Sequence, residues 1–288
     1  MTESLDEAVA VFNAARPRLM GIAYRMLGSR FEAEDLVQEV WLRWQVADRR
    51  TVRNPVAYLS TAVTRLAINA SQSARARRET YVGPWLPEPV DTSADPYLGA
   101  ERGEALSFAV LLVLERLSPT ERAAYVLRDA FGYSYDELAR ILRTTAPAVR
   151  QLVSRARKRI RAERRTEIGG SAHRELLTAF VGAARSGDVA VLEQLLAEDA
   201  ISYSDGGGAA RASKFPVVGR ERVAKYHRAF HQHFWAGAVV EFGMLNGQSA
   251  ALLYRDGVMF AVLTVTTSAA GIDQVLWILN AAKFPVVT

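Results

Sequence analysis

The chain has 288 residues, half of them apolar, a net charge of +5 and no cysteine, which excludes disulfides and thiolate metal sites and fits a reducing cytoplasm. No apolar run approaches the ~20 residues that span a bilayer, and the opening MTESLDEA is acidic and polar, unlike a signal peptide. The charge is uneven: residues 1–168 hold 26 Lys and Arg against 21 Asp and Glu, residues 169–288 hold 10 against 10, so a polyanionic partner is expected for the first part.

Up to about residue 78 the pattern is helical. In FEAEDLVQEVWLRW (31–44), Ala33, Val37, Val40 and Trp44 form one stripe for burial. Asp35, Gln38, Glu39 and Leu42 line the opposite side, an acidic-polar face with one leucine that suits a helical partner. RETYVGPWLPEPVDTSADPY (78–97) carries four prolines and reads as a linker. Its Tyr81, Trp85 and Leu86 are large and apolar, so Trp85 and Leu86 are expected to dock on something.

A second helical block covers about 101–166. Ser134 with Glu137 three residues on is a capping box, and Leu138, Ile141 and Leu142 supply the apolar face behind it. A Thr-Thr-Ala-Pro break follows, then a helix whose Val149, Val153, Ala156 and Ile160 fall on one stripe. Arg150, Ser154, Arg157, Lys158 and Arg161 fall on another. Helix, tight break and basic helix is the helix-turn-helix plan. Arg150, Gln151 and Ser154 would then meet base edges, and Arg155, Arg157, Lys158 and Arg159 would meet phosphates, with affinity falling steeply in salt. The competing reading is a solvated basic face on a helical bundle.

The third block starts after Gly169-Gly170 with helical periodicity at Leu176, Leu177, Phe180, Val181 and Ala184. Alternating runs follow at 200–204, 250–255, 258–267 and 273–279, and Asp256-Gly257 marks a hairpin. The expectation is an α+β domain, helices followed by a curved antiparallel sheet. KFPVV occurs at 214–218 and again at 283–287. His227 and His231 have metal-ligand spacing without a third ligand, so no metal site and no cofactor are expected. Tyr203, Asp205, His227, His231, Trp235, Tyr254 and Trp277 are candidates to line a cavity able to hold a small ligand, and an Asp205–His227 pair could do acid/base work.

LSPTERAAYVLRDAFGYSYDELARILRTTAPAVRQLVSRARKRIR (117–161) resembles region 4 of a bacterial sigma factor of the extracytoplasmic-function type. The 31–44 helix resembles region 2.2, and NPVAYLSTAVTRLAINASQSARARRE (54–79) resembles regions 2.3 and 2.4. The resemblance covers about residues 5–165. It implies two all-α modules, a region 2 bundle over 1–80 and a region 4 helix-turn-helix over 101–167, joined by a linker over 81–100. It implies core RNA polymerase as partner, with Asp35, Gln38, Glu39 and Leu42 docking on the β′ clamp. It also implies promoter contacts: Arg65 and Asn69 match the polar positions for the −10 element, Arg75, Arg77 and Arg78 would follow the backbone, and region 4 would take the −35 element. Trp41 and Trp44 read as core residues rather than as base-stacking ones.

The last block, 171–288, resembles the SnoaL-like, NTF2-like cone. Sigma factors carrying such a tail form the SigJ-like subgroup, which the motifs here fit: WLPEP at Trp85, Leu86, Pro87, Glu88 and Pro89, and DGGG at Asp205, Gly206, Gly207 and Gly208. A further Asn-Pro-Asp-Lys-Leu motif is reduced to NAAKF (280–284), keeping Asn and Lys. The expectation is a promoter-specificity subunit, not itself an enzyme, whose tail modulates it through a WLPEP–DGGG contact, located in the cytoplasm and off the membrane. Two rivals stay open: a helix-turn-helix regulator with a ligand-sensing domain, and a bifunctional protein with a cyclase- or isomerase-like tail.

Overall fold

A computed structural model describes residues 5–91, 106–163, 165, 166 and 168–285, the side chains of 75 and 76 excepted. The chain divides into two units, Met1–Glu79 with Asp95–Arg164 and Thr80–Ala94 with Arg165–Thr288.

The first unit opens with helices α1 (Leu5–Leu27), α2 (Arg30–Val46) and α3 (Pro55–Glu79). Gly28 ends α1 at positive φ, and the Ser29 hydroxyl accepts the Glu32 N–H to start α2. Leu19, Ile22, Met26, Val37, Val40, Leu59 and Val63 fill the space between the three helices. Trp44 is buried with them and donates its indole N–H to the Ala8 carbonyl at 3.1 Å. Trp41 packs on Phe12 with ring centroids 4.9 Å apart, so both tryptophans serve the bundle.

The same unit continues with α4 (Phe108–Leu114), α5 (Pro119–Tyr125), a π-helical turn (Val126–Ala130), α6 (Tyr135–Leu142) and α7 (Ala146–Glu163). Both α5 and α6 start on a complete capping box, Ser118 with Glu121 and Ser134 with Glu137. The hydrogen bond from the Ser134 hydroxyl holds the Glu137 carboxyl below the usual carboxylate range. Arg143 ends α6 in the left-handed region at φ 52°, and the Thr144 N–H returns to the Ala139 carbonyl. That sharp exit sets α7 across α6. Val149, Val153, Ala156 and Ile160 of α7 are all buried, so the basic face points outward. Helix α3 packs against α5 and α6.

The second unit contains α8 (Gly170–Ser186), α9 (Val189–Leu195), β1 (Leu196–Asp205), β2 (Val217–Val218), α10 (Arg220–Trp235), β3 (Val239–Leu245), β4 (Gln248–Arg255), β5 (Val258–Ser268) and β6 (Gly271–Ile278). The strands form one sheet in the order β2-β1-β6-β5-β4-β3. It is mixed rather than antiparallel throughout, because β1 and β6 run parallel while every other neighbouring pair is antiparallel. The cause is topological. Helix α10 carries the chain from the β1 side to the far edge, and three hairpin steps bring β6 back beside β1 running the same way. Asp256-Gly257 turns β4 into β5 with both φ values positive. Asn246-Gly247 does the same between β3 and β4. Leu177, Phe180, Val223, Leu253, Leu263, Val275 and Trp277 are among the side chains buried between helices and sheet.

Residues 80–91 belong to this second unit. Leu86 and Val90 are buried, the Val90 N–H donates to the Asn246 side-chain Oδ1 while the Val90 carbonyl accepts the Asn246 N–H, and Asp91 bridges to Leu245. Of the two KFPVV segments, the first supplies the edge strand β2 at Val217–Val218, and the second lies outside the described residues from 286 on.

Candidate nucleic-acid interface and regulatory contact

On α2 the four residues expected to meet a partner, Asp35, Gln38, Glu39 and Leu42, are exposed on one face, Leu42 at 56 %. Glu39 is tied to Arg43 one turn on, at 2.8 Å, and both are exposed; such a pair contributes ~0.3–0.5 kcal/mol and yields readily to a partner.

The α3 residues are more occupied. Arg65 donates to the Ile141 and Arg140 carbonyls at 3.0 and 3.1 Å, satisfying the C-terminus of α6. Arg77 pairs with Glu32, and Arg78 with Glu115 and the Leu27 carbonyl. Asn69 is exposed. Arg75 lies on α3, its side chain outside the described residues.

On α7 the outward face is concave, walled by Tyr135, Arg150, Ser154, Arg157, Lys158 and Arg161. Arg150 lies over the Tyr135 ring at 5.3 Å. Gln151 and Ser154 are exposed beside it, and Lys158 forms no ion pair among the described residues. Three neighbouring arginines are already paired: Arg155 to Glu121, Arg157 to Asp129 through two nitrogens at 2.6 and 3.2 Å, and Arg159 to Glu163. The face can take phosphates and base edges together, with Arg150, Gln151, Ser154 and Lys158 the readiest to do so.

The second unit holds a buried polar cluster. Asp205, at the end of β1, is wholly buried. Its carboxylate accepts the Tyr81 hydroxyl at 2.6 Å, the Leu86 N–H at 2.8 Å and the Lys283 ammonium at 2.7 Å. Lys283 also donates to the Leu86 carbonyl at 2.6 Å and sits 4.3 Å over the Trp85 ring. Asn280 donates to the Tyr81 hydroxyl at 3.0 Å. Burial, then the bond to Asp205, pushes the Tyr81 phenol well above its ordinary range. The structure therefore brings Asp205 onto the WLPEP segment, with Leu86, Pro87 and Pro89 buried, and Trp85 and Glu88 half-buried.

Gly206 and Gly207 after Asp205 are required by space. A Cβ on Gly206 would lie 2.6 Å from the Ala210 carbonyl, and one on Gly207 2.4 Å from the Asn280 amide nitrogen. Gly207 also has φ 59°, and Gly208 lies against Val82. Tyr81, Asn246, Asn280 and Lys283 were not singled out by sequence as members of this contact. Asn280 and Lys283 are the two residues that NAAKF retains, and Asn246-Gly247 is itself a hairpin signal.

A cavity of about 280 Å³ opens beside the same strand ends. His227, Trp235 and Trp277 line it. Tyr203, Asp205, His231 and Tyr254 do not, which corrects the pocket drawn from the sequence. Tyr203 alternates with pocket-lining Ser204 along β1 and takes the other face. His231 turns towards the C-terminus of α8, where Gly187 lies against its ring. Tyr226, Phe230, Phe234 and Leu279 take their places.

His227 is buried and its ring is fully used. Nδ1–H donates to the Val223 carbonyl at 2.8 Å, and Nε2 accepts the Trp277 indole N–H at 2.9 Å. These partners require the neutral tautomer, and burial lowers its pKa to about 4. Asp205 and His227 form no hydrogen bond to each other among the described residues, so the acid/base pair is not assembled. No group of three metal-ligating side chains occurs among the described residues, and no helix among them is long and apolar enough to cross a membrane.

Comparison with known proteins accounts for both halves of the helical part. Residues 11–78 match the family model described as Sigma-70 region 2, and residues 107–160 match Sigma-70, region 4. The chain is 37% identical over 290 residues to ECF RNA polymerase sigma factor SigJ of Mycobacterium tuberculosis, covering 96% of this chain and 93% of that one. It is 29% identical to the probable sigma factor SigI of the same organism, over 94% of this chain and 92% of that one. The crystal structure of M. tuberculosis SigJ superposes with a TM-score of 0.77 at 32% identity, covering 96% of this chain and 97% of that chain.

Proposed function

This chain belongs to the extracytoplasmic-function sigma factors of RNA polymerase, and we propose that its own tail restrains it through the Asp205 contact on the linker. As a sigma factor it binds core RNA polymerase and promoter DNA at the −35 and −10 elements, and it initiates transcription without being an enzyme. The remaining assignments are our reading of the residues. The exposed α2 face, Asp35, Gln38, Glu39 and Leu42, meets the β′ clamp. Arg150, Gln151 and Ser154 read −35 bases, while Lys158 and the arginines beside it hold phosphates. Arg65 and Asn69 act at the −10 element. Since Arg65 holds the α6 carbonyls, region 4 leaves α3 before Arg65 can reach DNA. The domains are region 2 to about residue 80, region 4 from about 101 to 167, and the tail from 171. The protein works in the cytoplasm.

The regulatory reading rests on one observation: the Asp205 carboxylate spends all three of its bonds on Tyr81, Leu86 and Lys283. A segment joining two DNA-binding modules that must separate to span a promoter is thereby held at Tyr81 and Leu86. In vitro transcription with purified core polymerase tests this. Asp205→Asn is expected to change transcript yield on a cognate promoter by at least ~10-fold, the effect of about 1.4 kcal/mol on the restraint. Unchanged yield and unchanged polymerase binding would refute it. A plain helix-turn-helix regulator would instead bind duplex promoter tightly with no polymerase present.

A further inference from the structure

We propose that the cavity in the tail is an effector site for a flat, two-ring aromatic molecule bearing one carboxylate, and that its occupancy tightens the grip of Asp205 on the linker. The inference rests on the regulatory reading above and adds the ligand.

Size and lining set the class. At about 280 Å³ the space is nearly twice the ~150 Å³ that admits a benzene ring. Its walls are aromatic: Phe234 meets Trp277 edge-on with centroids 4.9 Å apart, and Tyr226 meets Phe230 at 5.1 Å. Such faces favour a planar ring system. The histidine cannot act on a ligand, because both its nitrogens are bonded inside the wall. The polar lining is small instead. The Ser204 and Tyr226 hydroxyls lie 3.4 Å apart, and Arg211 is exposed in the lining, without a hydrogen-bond or ion-pair partner among the described residues. One anionic group on an otherwise apolar ligand fits that arrangement.

Coupling follows from shared backbone. Ser204 lines the cavity and the next residue, Asp205, holds the linker. Leu279 lines the cavity and the next residue, Asn280, bonds Tyr81. Ser204 and Asp205 pair with Trp277 and Ile278 on parallel β1 and β6, so these two strand ends form one ledge with the cavity on one side and the linker on the other. The loop that supplies Arg211, Ala212 and Ser213 to the lining is the continuation of Gly206–Gly208. A molecule bridging ring wall and loop orders that ledge and favours the linker-bound state by linkage.

The test uses the purified full chain and 2-naphthoate, with 2-naphthalenemethanol as its uncharged counterpart. Expected are saturable quenching of tryptophan fluorescence with a Kd below ~100 μM, and slowing of Leu86 amide exchange by about tenfold at saturation. Arg211→Gln should weaken naphthoate about tenfold and leave the alcohol unchanged. Ala212→Phe, which puts a ring into the lining, should abolish binding of both probes. The inference is overturned if neither probe binds up to ~1 mM, a concentration matching only ~4 kcal/mol of affinity. It is also overturned if binding leaves Leu86 exchange unaltered, or if Arg211→Gln weakens both probes equally. No polymerase is involved, so a tail that binds naphthoate but fails to alter transcription would sink the regulatory reading and not the site.

Discussion

Asp205→Asn keeps the volume of a wholly buried side chain and removes its charge. Lys283, whose side chain is 6 % exposed, then keeps its ammonium in the interior without a counter-charge. Breaking one partner out of a buried ion pair costs about 3–5 kcal/mol. The amide also brings an N–H into a site that three donors approach, Tyr81, Leu86 and Lys283. For a unit of this size about 3–5 kcal/mol lowers Tm by roughly 10 °C. Thermal unfolding of the full chain reads this directly, and amide exchange at Leu86 reports whether the loss is at the linker. Lys283→Met alone is expected to be comparably harmful, because it strands the carboxylate. The double variant should cost less than the sum, with a coupling energy of at least ~2 kcal/mol. A loss below ~1 kcal/mol for Asp205→Asn, or coupling under ~0.5 kcal/mol, would refute the reasoning.

Gly207→Ala should destabilise by about 1–2 kcal/mol, since it combines φ 59° with a 2.4 Å approach to Asn280; Gly182→Ala, inside α8 with nothing within 4 Å, should gain about 0.5–1 kcal/mol, and calorimetry separates the two. His227 carries a pH signature. Its folded pKa of about 4 lies below the ordinary 6.5, so the unfolded state binds the extra proton and its contribution, whole above pH 6.5, is lost as pH falls towards 4. The loss is about 3 kcal/mol in total, and His227→Gln should flatten that part of the stability profile relative to the parent chain. Lys158→Ala should weaken polymerase-dependent −35 binding on all sequences alike and reduce the slope of log affinity against log salt by about 1, whereas Gln151→Ala should relax preference at one base position.

Local features of the sequence carried most of the helical part. Ser134 with Glu137, the Val149–Ile160 stripe and the Ala33–Trp44 stripe involve neighbours three or four residues apart, and side chains at that spacing meet whatever surrounds the helix. Asp256-Gly257 is legible for the same reason, because a two-residue turn needs only its own φ values. The strands at 200–204, 250–255, 258–267 and 273–279 were visible from alternation. The first three lie inside the longer strands β1, β4 and β5, and the fourth runs one residue past the end of β6.

Which strand lies beside which was not visible there. The parallel β1–β6 pairing depends on where a helix and three hairpins return the chain, and no window of sequence contains it. The same holds for the linker contact. WLPEP and DGGG stood out as motifs, but Tyr81 meets Asn280 across 199 positions and Lys283 meets Asp205 across 78. Pocket membership split likewise: β1 alternation and the turn of α10 put Ser204 and Phe230 in the cavity and took Tyr203 and His231 out of it. Sequence determined what each segment would become, because backbone preference and amphipathic spacing act over a few residues. Tertiary structure alone decided which polar groups meet, because burial makes a charge seek its partner wherever the chain happens to bring one.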